Sequence, residues 1–225
     1  MQGADMKDFL DVLLEQMDKP RSAQDEAVYL SRLKSLATTA PPQRSIPSRG
    51  SGIPIRAASV KTAPDSGFFQ SRPDVELFFY ELKDDQAEPR WFRLAKEQDP
   101  TRAFGRLDPL PGEAQVLETI AMGADLYSLN VEDHDAATLQ YLAEVGADYA
   151  VPVLLRCHAE EDLARALFVQ ADTWIALEGA MAVPELLELP IFKNRKVLLP
   201  YGNSDEMTHH QLKQLILHFE IREEP

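Results

Sequence analysis

From Gly123 to Gly179 the chain reads "GADLYSLNVEDHDAATLQYLAEVGADYAVPVLLRCHAEEDLARALFVQADTWIALEG". An Ala-Asp pair occurs three times here, at Ala124–Asp125, Ala147–Asp148 and Ala171–Asp172, with the aspartates 23 and 24 residues apart. Each pair precedes a short apolar run, and each run leads into apolar residues at helical spacing. That length suits one strand, one loop and one helix. Successive parallel strands need a helix-length return, and the return is right-handed. The repeat therefore predicts a parallel sheet wrapped by helices.

The rest of the C-terminal half follows the same alternation. "EAQVLETIAM" predicts a helix ending at Gly123, where glycine suits the left-handed position after a helix. "DLYSLNV", "YAVPVLLRC", "TWIAL" and "KVLLP" predict strands, as near-continuous apolar runs do when both faces are covered. "DAATLQYLAEV", stopped by Gly146, "AEEDLARALFV", "VPELLEL" and "DEMTHHQLKQLILHFEI" predict helices. This period fits a closed eight-stranded barrel or an open doubly wound sheet.

The N-terminal part is different. Met6, Phe9, Leu10, Leu13, Leu14 and Met17 have helical spacing, and Pro20 ends that helix. A second helix is expected from Ser22 or Ala23 to Leu36, with Ser22 as N-cap. Residues 1–36 thus read as a helical extension whose role is packing, with partner binding as the alternative. Residues 37–72 are Pro/Ser-rich and carry Arg44, Arg49, Arg56, Lys61 and Arg72 against Asp65 alone. They read as a flexible linker or loop, solvated or lying against the acidic body, with room for one short strand in "IPIRAASV". Val75 to Leu82 predicts a strand with "RWFRLA" as its hairpin partner. Residues 73–225 make up the barrel-like part of one domain overall.

Composition bounds the function. The 225 residues carry a formal net charge of −14, which disfavours nucleic acid as a partner. No apolar run approaches the ~18 residues that a membrane helix needs. "MQGADMKDFLDVLLEQMDKP" has acids within its apolar stretch and no small-residue cleavage site, unlike a secretory signal. The single cysteine, Cys157, excludes an intramolecular disulfide and fits a reducing compartment, so a cytoplasmic location is expected. His134, His158, His209 and His210 lack metal-site spacing, and neither a metal nor another cofactor is expected. Cys157 alternates with Arg156 and His158, which turns it towards the helix layer.

"EAQVLETIAMGADLYSLNV" followed by "LQYLAEVGADYAVPVLLRCHAEEDLARAL" resembles the middle of indole-3-glycerol phosphate synthase, a (β/α)₈ barrel family of tryptophan biosynthesis. The family's fifth strand, V-L-V-E-V-H, corresponds to Val153-Leu154-Leu155-Arg156-Cys157-His158, followed by the acidic helix start Glu160-Glu161-Asp162. Upstream, "RSIPSRGSG" resembles the S-P-S-(K/R)-G loop after the first strand, and "SVKTAPDSGFFQS" the segment after the second. Alternatively "VKTAPDSG" is the first-strand lysine loop, with Lys61 as the lysine. The resemblance implies a TIM-barrel-like fold preceded by a helical extension. The eighth strand is missing or reduced to something like "FEI", which leaves open both an incomplete barrel and one that this short segment closes.

The family closes a pyrrole ring with loss of CO₂ and water. That needs a lysine acid, a second cation, carboxylates for proton transfer and backbone amides for phosphate. Carried over position by position, most of these groups change. Lys61 is at best a displaced first-strand lysine; Leu107 takes the third-strand lysine position, beside Arg106; Arg156 replaces the fifth-strand glutamate. The sixth-strand N-N-R motif falls on Leu177-Glu178-Gly179, and the seventh-strand E-S-G-I on Pro200-Tyr201-Gly202-Asn203. The remaining catalytic candidates are Lys61, Arg156 and Glu178. Asn130, Glu132, His158 and Tyr201 are expected at a ligand pocket, with Gly202 and Asn203 at a phosphate. These groups either bind a polar, phosphorylated small molecule or pair with one another across a disused pocket. Two functions follow: a binding or scaffold protein with a protein partner or a second copy of itself, or an active synthase or related carbon-carbon lyase.

Overall fold

A computed structural model describes residues 22–40, 43, 44, 46, 55–60, 69–81, 89–178, 192, 196–200 and 217–223. The strands are β1 (Ile55–Val60), β2 (Val75–Tyr80), β3 (Ala103–Arg106), β4 (Leu126–Asn130), β5 (Val153–Cys157), β6 (Thr173–Leu177), β7 (Lys196–Pro200) and β8 (Leu217–Glu223). Every neighbouring pair is parallel, and β8 pairs with both β7 and β1. The fold is the TIM-barrel-like repeat that the sequence predicts, and its ring of strands closes. β1 and β2 are separated by residues 61–74, and the described part of that link, from Phe69, is a turn.

The described helices are α1 (Ala23–Thr38), α2 (Pro89–Gln98), α3 (Glu113–Ala121), α4 (Ala136–Asp148) and α5 (Glu160–Ala166). Ser22 caps α1 by accepting a hydrogen bond from the Asp25 amide, and Asp135 caps α4 through the Thr138 amide. Gly123 has φ 88°, the left-handed turn expected after α3.

Three expectations give way. "RWFRLA" is helical in α2, where Pro89 takes the first position that proline favours, so β2 has no hairpin partner there. The last predicted helix gives way only over Leu217–Ile221, which lies in β8 and contains the "FEI" offered as an eighth strand. Leu217, Phe219 and Ile221 alternate with His218, Glu220 and Arg222, a period-two pattern, and residues 205–216 lie outside the described residues. Pairing this segment satisfies the edges of β1 and β7 that an incomplete barrel would leave open. Gly146 does not stop α4, which runs to Asp148; a Cβ there would lie 2.3 Å from Tyr127 Oη, so glycine serves close packing. The Met6–Met17 and "VPELLEL" helices lie outside the described residues.

Strand alternation separates an interior core from two clusters on the outer side of the strands. Ala57, Leu77, Phe79, Ala103, Leu126, Leu154, Trp174 and Ala176 fill the barrel interior together with Leu107, and Ile46 packs against them. Tyr127, Leu129, Val153, Leu155, Cys157, Ile175 and Leu177 face the helices instead. Gly105 makes room for Phe79, whose ring would lie 2.6 Å from a Cβ at that position. On α1, Tyr29 and Leu33 are buried against α3, and Tyr29 Oη donates to Glu118 at 2.6 Å.

The stretch 37–72 is not simply a linker. It contains β1, and Arg44 is fixed at the base of the barrel. The Arg44 guanidinium donates to the carbonyls of Lys96, Asp99 and Arg102 at 2.7, 2.7 and 2.8 Å. Its amide donates to Asp125 Oδ1 at 2.8 Å. Asp125 also accepts from the Phe104 amide at 2.9 Å and from Lys96 Nζ at 2.8 Å, and Lys96 donates further to the Gly123 carbonyl.

Candidate functional site

Parallel strands deliver their carboxyl ends to one face, where barrels of this kind carry their chemistry. On that rim Arg156 ends the inward-facing series Leu154, Arg156 of β5, and Glu178 follows β6 directly. Their side chains meet. Arg156 Nε and Nη2 donate to the two oxygens of Glu178, each at 2.9 Å. Such a fork-to-fork arrangement is the strong, oriented form of an ion pair. Nη1 donates to the Leu107 carbonyl at 3.1 Å. Since Leu107 follows β3, the guanidinium joins the ends of β3 and β6 across β4 and its own strand.

Burial opposes the charge on Arg156, but the bonds and attraction from Glu178, helped by Glu81 and Asp108, leave its pKa raised. His158 Nδ1 lies 3.5 Å from Glu178 Oε2. Asn130 is the register partner of Arg156 and donates through Nδ2 to Asp133 at 3.0 Å. Glu132 lies exposed on the turn Val131–Asp133. The structure thus joins Arg156, Glu178 and His158, places Asn130 beside them and leaves Glu132 on the surface. Lys61, Tyr201, Gly202 and Asn203 lie outside the described residues.

Leu107 occupies the interior cluster, whereas Arg106 turns outwards. It pairs with Asp108 at 2.7 Å and donates to Thr119 of α3 at 3.0 Å. Cys157 is buried in the helix layer as expected, and burial pushes its thiol up to about 12. A thiolate nucleophile there is disfavoured. Both Glu81 and Asp108 lie within electrostatic reach of Arg156; Glu81 escaped notice in the sequence, whereas Asp108 falls at the family's third-strand motif with Arg106 and Leu107. The pattern Leu77, Phe79, Glu81 along β2 was the available signal for the first. Among the described residues no three His, Cys, Asp or Glu side chains form a group able to hold a metal. No described helix is long and apolar enough to cross a membrane. A cleft of about 500 Å³, lined by residues including Ala37, Gln43, Ile120, Ala147 and Tyr149, opens on the opposite face and is remote from these groups.

The geometry places the chain in the class of TIM-barrel-like α/β proteins. Solved structures share that fold. The 3-keto-L-gulonate-6-phosphate decarboxylase of Vibrio cholerae O1 biovar El Tor superposes with TM-score 0.57 at 9% identity, over 76% of this chain and 88% of its own. The HpcH/HpaI aldolase of Desulfitobacterium hafniense gives TM-score 0.55 at 11% identity, over 76% and 87%. The tryptophan synthase subunit alpha of Legionella pneumophila gives 0.53 at 8%, over 87% and 86%. No protein-family model and no curated sequence matches the chain. At such identities the likeness concerns the fold alone.

Proposed function

We propose that this chain is a divergent relative of indole-3-glycerol phosphate synthase that no longer closes the pyrrole ring and acts as a binding or scaffold protein. The observation that carries this is the Arg156–Glu178 pair. A cation stands where the family has a proton-transferring glutamate, and the neighbouring carboxylate is engaged by it through both oxygens. Leu107, at the lysine position after β3, has no proton to give and is packed in the interior. Removing one electrostatic or acid–base group costs such a reaction ~10²-fold or more, and groups acting as a unit fail together. A phosphorylated small molecule, a protein partner or a second copy of the chain are the occupants this proposal admits; the expected setting is the cytoplasm.

The competing proposal is a lyase acting on a phosphorylated sugar, in tryptophan synthesis or elsewhere. It rests on the resemblance to the synthase in the sequence, and the fold it shares with a 3-keto-L-gulonate-6-phosphate decarboxylase and a tryptophan synthase subunit alpha is compatible with it. The decisive test is formation of indoleglycerol phosphate from the carboxyphenylamino-deoxyribulose phosphate, followed by fluorescence at high protein concentration. No turnover and no thermal stabilisation by the substrate are expected. Turnover abolished by Arg156→Ala would replace the proposal with the lyase.

A further inference from the structure

The Arg156 guanidinium is gripped on two sides by elements distant in the ring, by the Glu178 carboxylate after β6 and by the Leu107 carbonyl after β3. Glu81, just past β2, adds negative potential, as does Asp108 after β3, whose carboxylate is already paired with Arg106. The side chains of Arg156 and Glu178 are only 22% and 20% exposed. A bidentate carboxylate and an in-reach carbonyl, with the Glu81 carboxylate within electrostatic reach, match the planar five-donor fork of a guanidinium better than they match an anion.

We propose that the barrel mouth is a guanidinium-binding cradle filled in cis by Arg156, which acts as a tethered ligand. The chemical class the cradle takes in trans is an alkylguanidinium, and it enters only when the Arg156 side chain is withdrawn. A cradle of this charge disfavours a phosphate or carboxylate at the same spot. The inference rests on the functional proposal in one respect, that Glu178 serves pairing instead of proton transfer. It names the site's chemistry, which that proposal leaves open.

Chemical rescue tests it. Arg156→Ala removes the tethered guanidinium and leaves Glu178, the Leu107 carbonyl and the backbone of β5 in place. Millimolar methylguanidinium, compared with the same concentration of sodium chloride, is expected to raise the melting temperature of Arg156→Ala saturably. Wild-type protein, whose cradle is full, is expected to show no such rise, and adding Glu178→Gln to Arg156→Ala is expected to weaken the rescue at least tenfold. Should Arg156→Ala fail to fold alone, the readout becomes the yield of refolded protein with methylguanidinium against sodium chloride. Absence of rescue in both formats, or equal stabilisation of wild type and the Glu178→Gln double variant, would overturn the cradle. Turnover of the ring-closure substrate by wild type would overturn the functional proposal and leave the rescue result standing, so the two failures are distinguishable.

Discussion

The two faces of the barrel treat charge differently. At the base, Lys96 and Asp125 are buried to 8% and 0% side-chain exposure, and backbone groups share in satisfying them. Arg44 there donates to three carbonyls that belong to the end of α2 and the approach to β3. At the rim, Arg156 and Glu178 remain about one-fifth exposed, and His158 stands nearby at 35%. A base built this way holds the ends of elements together, whereas the rim pair stays partly open to solvent. Barrels of this fold divide stability and function along this axis.

Breaking the base should have the largest effect. Asp125→Ala strands a buried ammonium and removes the acceptor of the Phe104 and Arg44 amides. We expect a loss of about 3–5 kcal/mol in urea unfolding, the scale for orphaning one partner of a buried pair. Arg156→Ala orphans a more exposed carboxylate, so about 1–3 kcal/mol is expected by the same measurement. If the two losses were equal, the contrast between the faces would fall.

The smallest effect belongs to the helix layer. Glu113 at the start of α3 joins Lys34 of α1 at 2.8 Å and accepts from Tyr141 of α4 at 2.6 Å. Burial alone would raise its pKa, but the bonds from Lys34 and Tyr141 hold it below the ordinary carboxyl value of 4.5. Since the folded value lies below the unfolded one, this stabilisation is complete above the unfolded value and is lost as pH falls through the folded one. Glu113→Gln is expected to cost about 0.2–1 kcal/mol near neutral pH, in keeping with exposed pairs, and to flatten the acid limb of a melting-temperature profile. An unchanged acid limb would remove Glu113 from the account.

Much of this was legible because the repeat itself carries it. The ends of β5 and β6 are one unit apart, so Arg156 and Glu178 could be placed on one rim from spacing alone. Ser22 and Gly123 were legible for the same local reason, since caps and left-handed turns have residue signatures. Arg44 was not. Its partners are backbone carbonyls 52 to 58 residues away, which have no side-chain identity to announce them. Nor are the three aspartates equivalent: Asp125 and Asp172 immediately precede β4 and β6, whereas Asp148 ends α4 and lies five residues before β5. β8 was hidden by helix formers that precede its alternating residues in the same apolar stretch.

The central claim is that the rim charges are committed to each other. Urea unfolding of wild type, Arg156→Ala, Glu178→Gln and the double variant measures that directly as a coupling energy. A coupling of about 1–2 kcal/mol or more is predicted, with the double variant losing less than the sum of the single changes. A coupling indistinguishable from zero would mean that Arg156 and Glu178 act independently, and the account of the rim would be wrong.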